Sequence, residues 1–392
     1  MVGDSLINKM IIFLLSIFMC LLINKYNHNL FYYVSESLAS ESASLLKCAP
    51  FFQQQNITIR VASVLELQKA IKQSVIGTTI LIANGQYALN GIVLLLEVPN
   101  VTIRSASGNR EDVVLDGGYK THEILQIMAS NITIADITLK KAYDHPIHVI
   151  STNKGDTVNT RIYNVHIIDP GEQAVKINPG SDGYYTDKGE IACSHIELTD
   201  EGRSYIRKNC YTGGIDAHQS RGWVVRDNVI EGFWCPQGLS EHAVHFWRGS
   251  RDTVVENNIL RNNARAVGFG MATSGKARQY ADDVCSSGKN YVDHFEGIIT
   301  GNSISFNSKD LFKSFSGADC GICLWQACKA SVDNNLIQST DPDHTFSSIE
   351  WRFPMTRAEI RNNTVNVKMR ARDGASAVES GNSFAPQRRE DR

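Results

Sequence analysis

Residues 223–230 read WVVRDNVI, and the same phrase returns as TVVENNIL at 253–260, ASVDNNLI at 330–337 and AEIRNNTV at 358–365. An Asn or Asp beside short β-branched runs also stands at Asp136, Asn164, Asn228, Asn258, Asn302, Asn335 and Asn363. The intervals are 28, 64, 30, 44, 33 and 28 residues, and the 64 divides into 31 and 33 if His195 fills the missing slot. Repeats of this length, built of strands with almost no helical period, predict stacked coils rather than a sandwich. Asn suits the repeated turn because it tolerates left-handed backbone angles and can hydrogen-bond to the next coil.

Aligning each coil on its Asn places an apolar strand about a dozen residues earlier. Its inward column is Ile127, Val149, Ile177, Ala217, Phe246, Phe269, Leu324 and Trp351. Strand alternation then sends the neighbours outward. The first outward column is Gln126, His148, Lys176, Asp216, His245, Gly268, Cys323 and Glu350. The second is Met128, Ile150, Asn178, His218, Trp247, Gly270, Trp325 and Arg352. A strip of His, Lys, Asp and Trp replaces the Ser, Thr and Lys of an ordinary solvated face. Interruptions at 179–212, 235–241, 272–296 and 308–319 are expected as loops walling this strip, where binding sites are usually built.

Ahead of the repeats, Leu65, Leu67, Ala70, Ile71 and Val75 form a helical stripe. Ser63 is its N-cap and Gly77 its stop, and the strand 79–83 follows. Such a helix would cover the open end of the stack, whose bare strand edges would invite aggregation.

The 14-residue apolar run 10–23 is short for a membrane span and suits the core of a signal peptide, with an uncleaved anchor as the rival. Residues 1–40 are therefore expected as leader or anchor with linker, 60–385 as one β-domain, and 386–392 as a charged tail. Removing the leader leaves eight cysteines, an even count that permits disulfides in an exported chain. Cys193 with Cys210 and Cys285 with Cys320 are two of the open pairings. The trio Cys320, Cys323 and Cys328 lacks a fourth zinc ligand at a convincing spacing. A formal net charge of -2 gives no nucleic-acid signature, so a polyanion would need a local basic cluster.

The helix, the following strand and the turn 85–87 resemble the entry to right-handed parallel β-helix proteins of the pectin-lyase-like superfamily, especially the chondroitinase B and alginate lyase group. Asp216-Ala217-His218, followed by a strand and the Asn turn, is similar to the Asp-Pro-His motif of mannuronan carbon-5 epimerases, with Ala217 in place of the proline. The resemblance implies a single-stranded β-helix acting on an acidic polysaccharide as a monomer, with Asp216 and His218 catalytic and Tyr211 a candidate tyrosine.

Lyases and epimerases of uronates both remove the proton next to the carboxylate. That needs a base of near-neutral pKa and a positive group at the carboxylate. His218 and His245 are candidate bases, while Lys176, Arg248 and Arg251 are candidate neutralisers. Trp247, Trp325, Asn178, Arg251, Arg352 and Tyr211 are candidate substrate contacts. No cofactor is required by this reading. Calcium stays open, although it wants six to eight oxygens and no loop presents an ordered series. The sequons at Asn56, Asn100, Asn131 and Asn362 mostly fall on repeat turns and read as structure. Two other classes stay in view. A glycoside hydrolase needs paired carboxylates, and Asp216 and Glu350 lie several coils apart. A glycan-binding or adhesion module needs the tryptophans but no base.

Overall fold

The computed structural model describes residues 48–51, 57–181, 183–271, 277–285 and 292–385. The expected leader, the charged tail and the sequon at Asn56 lie outside the described residues. From Ile57 to Phe384 the chain winds as a right-handed parallel β-helix, its strands laid into parallel sheets of 12, 11 and 10 strands. The 10-stranded sheet carries the strip. Its members are β1 (Leu94–Leu96), β2 (Glu123–Ile127), β3 (His145–Ile150), β4 (Gln173–Asn178), β5 (Gly213–His218), β6 (His242–Trp247), β7 (Arg265–Phe269), β8 (Ala318–Trp325), β9 (Thr345–Arg352) and β10 (Arg370–Arg372).

The register read from the sequence holds throughout. Ile127, Val149, Ile177, Ala217, Phe246, Phe269, Leu324 and Trp351 are consecutive partners, and all are buried. The outward column from Gln126 to Glu350 pairs in the same order. Trp223, Trp234 and Trp351 belong to the core.

The asparagine turn contains two adjacent columns rather than one. Asp136, Asn164, Cys193, Asp227, Asn257, Asn334 and Asn362 have φ between 50° and 57° and supply the left-handed residue. The residue after each faces inward. From Asn228 onward this second column is a hydrogen-bonded ladder, in which the side-chain N–H of Asn228, Asn258, Asn302, Asn335 and Asn363 donates to the next Asn Oδ1 at 2.9–3.0 Å, ending on Asn382. Asp136 and Asn164 therefore belong to the left-handed column, with Ile137 and Val165 in the ladder position. Ser194, not His195, fills the missing slot, its N–H donating to Asn228 Oδ1 at 2.9 Å. Asn100, Asn131 and Asn362 are turn residues with positive φ.

The helix α1 (Val64–Gln73) forms as expected, with Ser63 Oγ accepting from Glu66 N at 3.2 Å and Glu66 Oε2 accepting from Ala62 N at 2.7 Å. Leu67, Ala70 and Ile71 enter the core, whereas Leu65 and Val75 face solvent. The stretch 179–212 is not simply a loop. Glu190–Ala192 and His195–Glu197 take regular places in the other two sheets, and only the segment after Leu198, with α2 (Asp200–Arg203), leaves the coil. The stretch 308–319 holds α3 (Lys309–Lys313).

Four disulfides join the eight cysteines after residue 47, as Cys48–Cys193, Cys210–Cys235, Cys285–Cys328 and Cys320–Cys323. Cys193 and Cys285 thus have partners other than Cys210 and Cys320. Cys48 fastens the amino-terminal arm to the stack, where Phe51 packs on Tyr163 under the guanidinium of Arg161. No helix among the described residues is long and apolar enough to cross a membrane.

Candidate functional site

The strip expected to be exposed is largely buried. His148, Lys176, Asp216, His245, Cys323 and Glu350 are all buried; Tyr211 lies against Lys176, Trp247 against Asp216 and His245, and Trp325 and Arg372 against Glu350. The half-buried surface of the cluster is formed by Tyr211, His218, Trp247 and Arg248.

Asp216, on β5, is the centre. Its Oδ1 accepts from Trp247 Nε1 at 2.7 Å and its Oδ2 accepts from Lys176 Nζ on β4. His218 Nε2 lies 3.4 Å from Oδ2, and His245 Nδ1 lies 3.7 Å from Oδ1. Burial alone would raise the carboxyl pKa, but Lys176 and the neighbouring imidazoles outweigh it and hold Asp216 ionised well below the usual range. Burial would likewise lower Lys176, but Asp216 and Tyr211 raise it, so the ammonium persists. Lys176, expected at a substrate carboxylate, instead balances Asp216.

Lys176 Nζ also reaches Tyr211 Oη at 3.2 Å and His218 Nε2 at 3.3 Å. Burial lowers the His218 pKa against the opposing pull of Asp216, leaving a neutral imidazole at neutral pH. Nε2 therefore has a donor, Lys176, when it is unprotonated and an acceptor, Asp216, when it is protonated. Its ring stands edge-on to Trp247, with centroids 4.6 Å apart. Burial raises the Tyr211 pKa, while Lys176 pulls it down.

Arg248 follows Trp247 in the left-handed conformation, φ 59°, and its guanidinium sits 4.7 Å from the indole centroid. It makes no ion pair among the described residues. The turn is fastened by Asp293, whose Oδ2 accepts from the Met271 backbone N–H at 2.8 Å and whose carbonyl accepts from the Gly249 N–H at 2.7 Å.

The other predicted residues are placed differently. His245 is wholly buried and lies parallel beneath Trp247, ring centroids 5.3 Å apart, so it cannot meet a substrate as a base. Arg251 is buried in another sheet between Asp252, Asp282 and Glu296, enclosed by the Tyr280 and Phe295 rings. Arg352 pairs with Asp373, and Trp325 Nε1 donates to Glu350 at 3.1 Å, both toward the far end of the sheet. Asn178 stays at the edge of the cluster, one coil from His218.

The linear reading missed the importance of His242 and Glu241. Both members of Ala243-Val244 and of Ala266-Val267 face the core, so the alternation breaks and the preceding residues, His242 and Arg265, return to the outer face. His242 packs 4.2 Å from the His245 ring and 6.0 Å from Trp325. Every converging group of ligand-type side chains among the described residues contains a His or Cys, and Asp282 is drawn to Arg251 rather than grouped for calcium.

No protein-family model matches the sequence, and no curated protein sequence does. Solved structures are similar in fold. An alginate lyase from a Paenibacillus strain superposes with a TM-score of 0.50 at 15% identity, over 84% of this chain and 99% of the other. A polygalacturonase from Erwinia carotovora gives 0.49 at 11%, over 86% and 94%. A mannuronan C-5 epimerase module from Azotobacter vinelandii gives 0.43 at 14%, over 83% and 95%. At such identities the likeness describes the fold alone.

Proposed function

We propose that this chain is an exported, carbohydrate-active β-helix that removes the C5 proton of a uronate unit in an acidic polysaccharide, as a lyase or an epimerase. The observation that carries the reading is the double partnership of His218 Nε2, 3.3 Å from the Lys176 donor and 3.4 Å from the Asp216 acceptor. With Nε2–H held by Asp216, the lone pair of Nδ1 is left to take the substrate proton, and the same carboxylate then stands against the imidazolium that forms.

The remaining parts follow from the chemistry. The C5 proton becomes acidic only when the adjacent carboxylate is neutralised, and the unpaired Arg248 guanidinium is suited to that fork-like contact. His218 takes the proton, and Tyr211, held on Lys176, is the second proton carrier. If Tyr211 protonates the departing glycosidic oxygen, the chain breaks and an unsaturated sugar forms. If a proton returns to C5 from the opposite face, the product is the epimer. Trp247 offers an aromatic face to the sugar. Hydrolysis is less supported: Asp216 is saturated with partners, and Glu350 is fully buried between Trp325 and Arg372. Export is supported by the four disulfides.

The test is proton NMR of the folded protein in deuterated buffer with polyuronates and glycosaminoglycans. Alkene signals identify a lyase, and deuterium at C5 without alkene identifies an epimerase. New reducing ends alone, or silence across the panel, overturn the proposal in favour of hydrolysis or a binding module.

A further inference from the structure

Beside the Asp216 cluster, four buried atoms have no hydrogen-bond partner: Glu241 Oε2, both ring nitrogens of His242, and His245 Nδ1. His242 and His245 are at most 1% exposed. Buried polar atoms are nearly always satisfied, so orphaned atoms converging on one point ask for an explanation.

Their spacing supplies one. Glu241 Oε2 lies 3.9 Å from His242 Nδ1 and 3.7 Å from His245 Nδ1. These separations are too long for hydrogen bonds. Ligands at about 2.0–2.1 Å around a tetrahedral ion stand roughly 3.3 Å apart, so the two separations from Glu241 would each shorten by about half an ångström on binding. One ligand atom from each of the three residues already lies within 4.8 Å of the others. The site is also built for the rings. A Cβ at Gly268, the register partner of His245, would stand 2.6 Å from the His242 ring, so glycine is what lets that ring lie there. The nearby Arg265 guanidinium is turned to the Ser240 carbonyl.

We infer that Glu241, His242 and His245 bind one divalent transition-metal ion of the zinc class. Two imidazoles and a carboxylate suit zinc better than calcium or magnesium, which prefer all-oxygen shells. The site is distinct from the proton-transfer groups and does not rest on the uronate reading. Its role is to fix β6 beneath Trp247.

Untagged protein, purified without chelator or metal resin, is analysed for metal content. It is then stripped and titrated with zinc chloride by calorimetry. One tightly held equivalent per chain is expected, with a thermal midpoint that rises on zinc addition. Glu241→Gln and His242→Gln should each weaken binding by more than about 100-fold, whereas His195→Ala, in the stacked His166–His195 pair of another sheet, should not. If the variants fail to fold, X-ray absorption of zinc-loaded wild type decides, and two imidazole nitrogens in the shell are expected. Folded wild type without a stoichiometric site, or binding lost only in His195→Ala, overturns the inference.

Discussion

Trp247 Nε1 donates to Asp216 Oδ1 at 2.7 Å across two coils, although the register partner of Trp247 is His218 and that of Asp216 is His245. The indole crosses the grain of the sheet diagonally and roofs both His245 and the carboxylate. One side chain thereby both shields the buried part of the cluster and presents the aromatic face at its surface.

Trp247→Phe tests that coupling. The ring stays over His245, but Asp216 loses one donor in a dry setting, worth roughly 1–2 kcal/mol. An approximately tenfold fall in kcat/KM on the responsive polyuronate is expected, with little change in thermal midpoint. Loss confined to KM would mean that the indole only stacks on the sugar.

His218→Ala should lower the C5 exchange rate by about 10²–10⁴-fold, the range for removal of a general base, with circular dichroism unchanged. Arg248→Ala should act through the same step. The pH profile carries its own sign. Burial lowers the His218 pKa, so the base stays unprotonated as pH falls through 6.5. The acid limb of kcat/KM should therefore lie below 6.5, and a limb above 6.5 would remove His218 from the role.

The two turn columns should differ sharply in what loss of the Asn side chain costs. Asn258 receives the Asn228 backbone N–H at 3.1 Å and its side-chain N–H at 3.0 Å, and it donates to Val225 O and Asn302 Oδ1. Asn258→Ala should cost about 3 kcal/mol or more by leaving several buried groups unpaired. Its exposed neighbour Asn257 needs only φ 54°, so Asn257→Gly should change stability by less than about 1 kcal/mol. Urea unfolding of both proteins makes the comparison.

That pair also explains what the sequence hides. Strand register was legible because it depends on a period of two, and Ile127 through Trp351 fell on one line. The ladder was misplaced by one residue at Asp136 and Asn164, because adjacent columns select Asn for different reasons and Asn-Asn pairs conceal the boundary. The candidate cluster was legible as Lys176, Asp216, His218 and Trp247. The burial of His245 and the return of His242 to the outer face were not, since both depend on a broken alternation and on loop coverage without periodicity. The disulfide of Cys193 depends on an amino-terminal arm that carries no pattern.

Acid stability should follow the buried histidines. His145 is lowered to about 4 and His294 to about 3, both chiefly by burial. The unfolded chain binds more protons between those values and about 6.5, so stability is present above 6.5 and is lost as pH falls toward 4 and 3. Each group adds a slope of up to about 1.4 kcal/mol per pH unit. His294→Gln should flatten the fall in urea midpoint; an unchanged slope would assign the acid sensitivity elsewhere.

The asparagine ladder also has a polarity. Each amide from Asn228 to Asn363 donates one N–H to the Asn of the following coil and the other to a backbone carbonyl of the preceding coil, and its oxygen accepts from the preceding coil. Five aligned amides add their dipoles along the stack axis. Each coil consequently needs an oxygen at this corner of the following coil to satisfy its second amide N–H. The stack can be lengthened by grafting Asn-bearing coils after Asn382, whereas Ser194 closes the chain of amides at its other end.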